Sequence, residues 1–168
     1  MIKQCFKNID FRILWGAGCM TGIARAMEFL ALSLFALQEL GLPYLVTIIF
    51  AARMLPMSLL GIVIGTISER VSPISVIKFI YTLSNISTGI AILLVLTDNF
   101  NVIFAFLLAF INGITWVVDL AVRRRVLADN INQNLLSSSL AMETLSNNAT
   151  RLIGPLCAGS LYAFVGLA

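Results

Sequence analysis

Of the 168 residues, 60% belong to the set Ala, Val, Ile, Leu, Met, Phe, Trp, Tyr and Cys, only 11% are charged, histidine is absent, and the mean hydropathy is +0.99. Soluble domains average about 25% charged residues, so this chain has lipid as its solvent, and a soluble globular enzyme is excluded. A spanning helix takes about 20 residues, which leaves room for five or six spans, short loops and no soluble catalytic domain.

The apolar runs predict five spans, at about Ile13–Leu37, Tyr44–Ile67, Ile74–Leu96, Val102–Val122 and Leu135–Gly166. Turn chemistry separates them: Gln38 to Pro43, Ser68 to Pro73, Thr97 to Asn101, and the polar stretch Arg123 to Asn134. A lipid-facing barrel would need alternating segments of about ten residues, and these are absent. The expected class is therefore an all-α transmembrane helix bundle. Span three, whose mid-span polar side chains are Ser84, Asn85, Ser87 and Thr88, is expected at the periphery, and span four carries Asn112 and Thr115.

Basic residues accumulate on the cytoplasmic side of short loops. Lys3, Lys7 and Arg12 precede span one, Arg70 and Lys78 flank the loop between spans two and three, and Arg123, Arg124 and Arg125 follow span four. The opposite loops hold only Glu39 and Asp98. This pattern predicts a multi-pass protein of the cytoplasmic membrane with its N-terminus cytoplasmic, and no nucleic-acid partner. A signal peptide cleaved at Ala24-Arg25-Ala26 is the competing reading of the N-terminus, but the apolar run resumes at once. Cys5, Cys19 and Cys157 form no disulfide framework or metal set, and no cofactor is expected.

Charges inside spans are costly and persist when paired or when they face a cavity. At 1.5 Å per residue, Arg25 and Glu28 lie about 20 and 24 Å beyond Arg12, Arg53 about 25 Å from Arg70, and Arg151 about 25 Å from Asn134. These four predict one charged layer with a net charge of plus two. Arg25 and Glu28 are spaced to pair, and Glu28 is equally placed to reach Arg53. Four-residue spacing sets Ser139, Glu143, Asn147 and Arg151 on one turning face of span five. Such charges either lock helices together or line a solute and proton path, in which case Glu28 and Glu143 are the proton carriers. Gly61 and Gly65, then Gly154 and Ala158, are small-residue pairs suited to close packing, and Pro56 and Pro155 interrupt their helices.

Gly65-Thr66-Ile67-Ser68-Glu69-Arg70 and Arg151-Leu152-Ile153-Gly154-Pro155-Leu156-Cys157-Ala158-Gly159 are similar, respectively, to the loop motif and to the Gly-Pro-x-x-Gly-Gly antiporter motif of the major facilitator superfamily. Asp119 to Arg125 with Ala141 to Arg151 resembles the enterobactin-exporter-like and drug-efflux branch. The departures are Glu69 for the usual aspartate, Ser72 and Pro73 where glycine and a base are common, and Ala158 for the first closing glycine.

The resemblance implies a secondary transporter that exports small organic solutes by alternating access, with proton antiport. It further implies a cytoplasmic latch of Gly65, Glu69 and Arg70 with Asp119 and Arg123, and a leak-limiting element of Gly154, Pro155, Ala158 and Gly159. Family members build each half from inverted three-span repeats. On that pattern the chain is expected to be an N-terminal half lacking its sixth helix, partnered by lipid, solute, protons and a C-terminal half. The alternative from another class is a truncated, non-transporting bundle or a partner-binding membrane protein.

Overall fold

The computed structural model describes residues 9–38, 41–68, 72–131 and 133–165, with side-chain surroundings left undescribed at positions 10, 38, 60–68, 130, 133, 134 and 165. The described residues form five helices and no strand: α1 Ile9–Gln38, α2 Pro43–Ser68, α3 Pro73–Leu96, α4 Val102–Asn130 and α5 Gln133–Val165. This is an all-α membrane helix bundle, and each predicted span corresponds to one helix.

The helix ends follow the turn residues. Gly41 adopts the left-handed φ of 61° ahead of Pro43, the first residue of α2. Ser72 is extended and hands over to Pro73 at the first turn of α3, where proline's missing N–H is no loss. After α3, Asp98 takes φ 53°, its N–H donating to the Val95 carbonyl and that of Asn99 to the Leu94 carbonyl. That pairing satisfies carbonyls the helix would otherwise leave open. Asn101 then caps α4, its side-chain oxygen accepting from the Ile103 and Phe104 N–H groups at 3.0 and 3.2 Å.

The end of α4 differs from the sequence expectation. Helix α4 runs on to Asn130, whereas the apolar run stops at Val122. Arginine, leucine and alanine are good helix formers, so the charges end the lipid-compatible stretch without ending the helix. Among the described residues, three helices are long and apolar enough to cross a membrane, over Phe11–Leu37, Pro73–Leu96 and Val102–Asp129, and the described side chains of α2 include the apolar stretch Pro43–Leu59. Helix α5 has the length, at 33 residues, but its serines, asparagines, Glu143 and Arg151 dilute its hydropathy.

The chain divides into two compact units, Met1–Ala31 with Val126–Ala168, and Leu32–Arg125. In the first unit, Phe11 of α1 and Leu127 at the end of α4 are buried, with Leu14, Trp15, Ile131, Leu135, Leu140 and Met142 packed against them. In the second, Leu32 and Ala36 pack with Leu45, Ile49 and Ala52 of α2 and Ala105, Leu108 and Ala109 of α4. Four of these eight core residues are alanines, so the helices pack through small side chains, the usual device where lipid removes the hydrophobic drive to associate. Phe35 meets Phe100 edge-to-face at 4.8 Å on the rim of that core.

Candidate functional site

The densest group of buried polar side chains lies on α4 in the second unit. Asn112, Thr115, Asp119 and Arg123 are 3%, 0%, 1% and 8% exposed. Their spacings of three, four and four keep all of them within about 80° of helix circumference. Arg123 Nε stands 3.4 Å from Asp119 Oδ1, an ion pair one helical turn long. Tyr81 of α3 donates its hydroxyl to the same carboxylate oxygen at 3.0 Å. Further along, the Ser84 hydroxyl stands 3.5 Å from Asn112 Oδ1, and the Thr115 hydroxyl donates to the Asn112 carbonyl. As α3 advances from 81 to 84, its contacts on α4 retreat from 119 to 112, so the two helices are antiparallel.

Span three is therefore not simply peripheral. Half of α3 is exposed and only Ile80 and Ser87 are buried, but its Tyr81–Ser84 face supplies polar contacts to α4. Tyr81 escaped the sequence reading because a phenol counts as apolar in hydropathy, although its hydroxyl needs a partner once withdrawn from water.

Helix α2 reaches α4 differently. The Arg53 guanidinium carbon lies 5.6 Å from the centre of the Trp116 ring, a cation–π placement. Trp116 is thus a partner for Arg53 that charge counting did not suggest. The backbones also come close, since a Cβ on Gly113 would collide with the Arg53 carbonyl oxygen and stand 3.0 Å from Pro56 Cγ. Glycine at 113 is a requirement of this crossing, and Pro56, buried at the contact, forms its other wall.

In the first unit α1 and α5 run side by side in the same direction. The Trp15 indole N–H donates to the Ser146 hydroxyl at 2.7 Å, a Cβ on Gly22 would meet Thr150 Oγ1 at 2.6 Å, and one on Gly154 would overlap the Ala26 Cβ. Gly22 and Ala26 are a small-residue pair facing Thr150 and Gly154, and only the α5 member of this match stood out in the sequence. The same heading for α1 and α5 is what four intervening reversals produce.

The α5 contact face carries Ser139, Glu143, Ser146, Thr150 and Gly154, spaced by four, three, four and four. Ser139, Glu143 and Thr150 are 0%, 8% and 4% exposed, and Gly154 is buried. Strict four-residue steps drift by about 40° each, so Arg151 stands about 120° around the helix from Ser139. Arg151 is accordingly exposed and Asn147 half-buried. The predicted stripe begins on the buried face and leaves it.

Arg25 and Glu28 are half-buried on α1. With Gly22 level with Thr150, Arg25 and Arg151 fall within about 3 Å of each other along the helix axes, while Glu143 lies about 15 Å from Arg25. Arg53 belongs to the other unit. Of the antiporter motif, Gly154 makes the close α1 contact, Pro155 and Ala158 are half-buried beside it, and a Cβ on Gly159 would meet nothing within 4 Å. Glu69 and Arg70, and the side-chain surroundings of positions 61 and 65, fall outside the described residues, so the latch motif is represented here by Asp119 and Arg123 alone.

The profile of a family described as transmembrane secretion effector matches residues 4–168, nearly the whole chain. The match is to the family and does not single out an enterobactin-exporter-like branch. No curated protein and no solved structure gives a significant match to the chain.

Proposed function

The chain belongs to the transmembrane secretion effector family of major facilitator proteins, and we propose that it serves the outward movement of small organic solutes by alternating access with proton antiport. The membrane is the cytoplasmic one, with the N-terminus on the cytoplasmic side, as the clustering of basic residues at one set of helix ends favours. Five spans are assigned, one to each helix. Lipid, solute and protons are its partners, together with the second set of spans with which the family encloses its solute. Members of the superfamily are in general not enzymes.

Glu143 is the observation that carries this reading. A carboxylate 8% exposed, in the interior of a helix lined with Ser139, Ser146 and Thr150, is a costly group whose use is to take up and release a proton. Glu28, half-buried on α1 of the same unit, is the second candidate carrier. Arg25, Asn147 and Arg151 of that unit supply the donors for the solute path, and their positive balance fits an anionic or catechol-like solute. Asp119 and Arg123, with Gly65, Glu69 and Arg70, form the cytoplasmic latch, and Gly154 to Gly159 shape α5 against leak.

Inverted membrane vesicles carrying the protein test it, with a dihydroxybenzoate as the probe solute. Solute addition should dissipate an imposed proton gradient, and Glu143→Gln should remove most of that response, with Glu28→Gln reducing it. If both variants dissipate the gradient like the unaltered protein, the proton assignment is wrong. If the unaltered protein moves no solute, the bundle has a non-transporting role.

A further inference from the structure

Asp119 is 1% exposed, and its neighbours approach one oxygen from two sides. Arg123 comes from the same helix, four residues on, so their ion pair orients the carboxylate without tying α4 to another helix. Tyr81 comes from α3 and donates to that same Oδ1. Its position therefore translates the placement of α3 into the placement of the Asp119 charge.

The rest of the α3 surface reinforces this dependence. Phe79, Ile86, Ile90, Leu93 and Leu96 are exposed, so α3 presents a broad apolar face outward and buries only Ile80 and Ser87. Between helices in lipid, apolar contact supplies no hydrophobic drive, and hydrogen bonds and close packing set the register. Tyr81 to Asp119 and Ser84 to Asn112 are polar contacts that hold α3 on α4, and the first of them carries a charge, the stronger kind.

We propose that Tyr81 is a positioning residue for Asp119: its hydroxyl holds the carboxylate against Arg123 and makes α3 and α4 move as one element at the arginine-rich end of α4. The consequence for transport rests on the latch reading given above, since Asp119 is its described acid. The hydrogen bond itself does not rest on it.

Infrared difference spectroscopy of the full chain in lipid vesicles tests the contact, with Asp119→Asn identifying the carboxylate stretching band. Tyr81→Phe keeps the ring and removes the hydroxyl, so it should shift that band, whereas Ser84→Ala should leave it in place. Carbon-13 labelling of aspartate carboxyls supplies the band if Asp119→Asn does not accumulate, and the Tyr81→Phe comparison still decides. Thermal unfolding in detergent provides the second readout: Tyr81→Phe combined with Asp119→Asn should be no less stable than Asp119→Asn alone. An unmoved band in Tyr81→Phe, or stability losses that simply add, overturns the proposal. A shifted band with dihydroxybenzoate efflux unchanged in both Tyr81→Phe and Asp119→Asn upholds the positioning role and overturns the latch.

Discussion

The α1–α5 seam and the α3–α4 seam solve one problem in opposite ways. Along α1 and α5, Gly22, Ala26, Thr150 and Gly154 let two backbones approach, and the Trp15–Ser146 hydrogen bond at one end fixes the register. Along α3 and α4, Tyr81, Ser84, Asn112 and Asp119 meet through polar side chains. The first seam depends on shape and tolerates no added volume at its tightest point. The second depends on charge and tolerates no lost partner. In lipid both devices work, because neither relies on removing apolar surface from water.

The sharpest way to break this contrast is Asp119→Asn, which leaves Arg123 beside a neutral amide. Removing one member of a buried ion pair costs about 3–5 kcal/mol, and the 10% exposure of the Arg123 side chain puts the expected loss near the lower figure. Thermal unfolding in detergent should show it, and Asp119→Asn with Arg123→Gln should recover part of the loss. A double variant as unstable as the single one would mean that the uncompensated Arg123 charge is not the source of the loss.

Next in size is Gly154→Ala, whose Cβ would overlap that of Ala26. Overpacking of this kind costs about 1–3 kcal/mol. The companion change Ala26→Gly should restore much of the loss, and failure of that rescue would show that the seam is not sterically set. Gly113→Ala should cost a similar amount, without a comparable rescue, because its obstacle is the Arg53 backbone carbonyl.

Trp15→Phe should have a smaller effect, about 1 kcal/mol, the ordinary worth of one hydrogen bond between membrane helices. Ser146→Ala should give a like value, and the pair measured together should not add. At the bottom of the scale stands Gly159→Ala. It belongs to the same motif as Gly154 but has open space where its Cβ would go, so stability should stay within about 0.5 kcal/mol. A loss as large as that of Gly154→Ala would erase the distinction between the two glycines.

Much of the site was visible in the sequence as single residues. Asp119 and Arg123 stood out through the family resemblance, as partners of the latch motif. Glu143 stood out as a charge inside a span and Gly154 as half of a small-residue pair, and both are buried on α5. Their partners did not. Tyr81, Trp116 and Trp15 read as hydrophobic in any composition count, though each uses its ring or its polar tip. Gly22 and Gly113 looked like any other glycine until another backbone was laid against them. Arg151, grouped with Glu143 by four-residue spacing, turned out exposed because 3.6 residues per turn carries that spacing off the face.

The sequence by itself determined the solvent, the helical class and the positions of the turns. Each is a sum over neighbouring positions, and hydropathy, turn chemistry and charge are local properties. Tertiary structure alone decided which polar groups meet. Tyr81 and Asp119 are 38 residues apart, Trp15 and Ser146 are 131 apart, and each contact requires two helices to agree in rotation about their axes and in height along them. Along α1 and α5 that agreement is set by where glycine and alanine allow backbones to approach, a property of pairs of faces that neither helix carries alone.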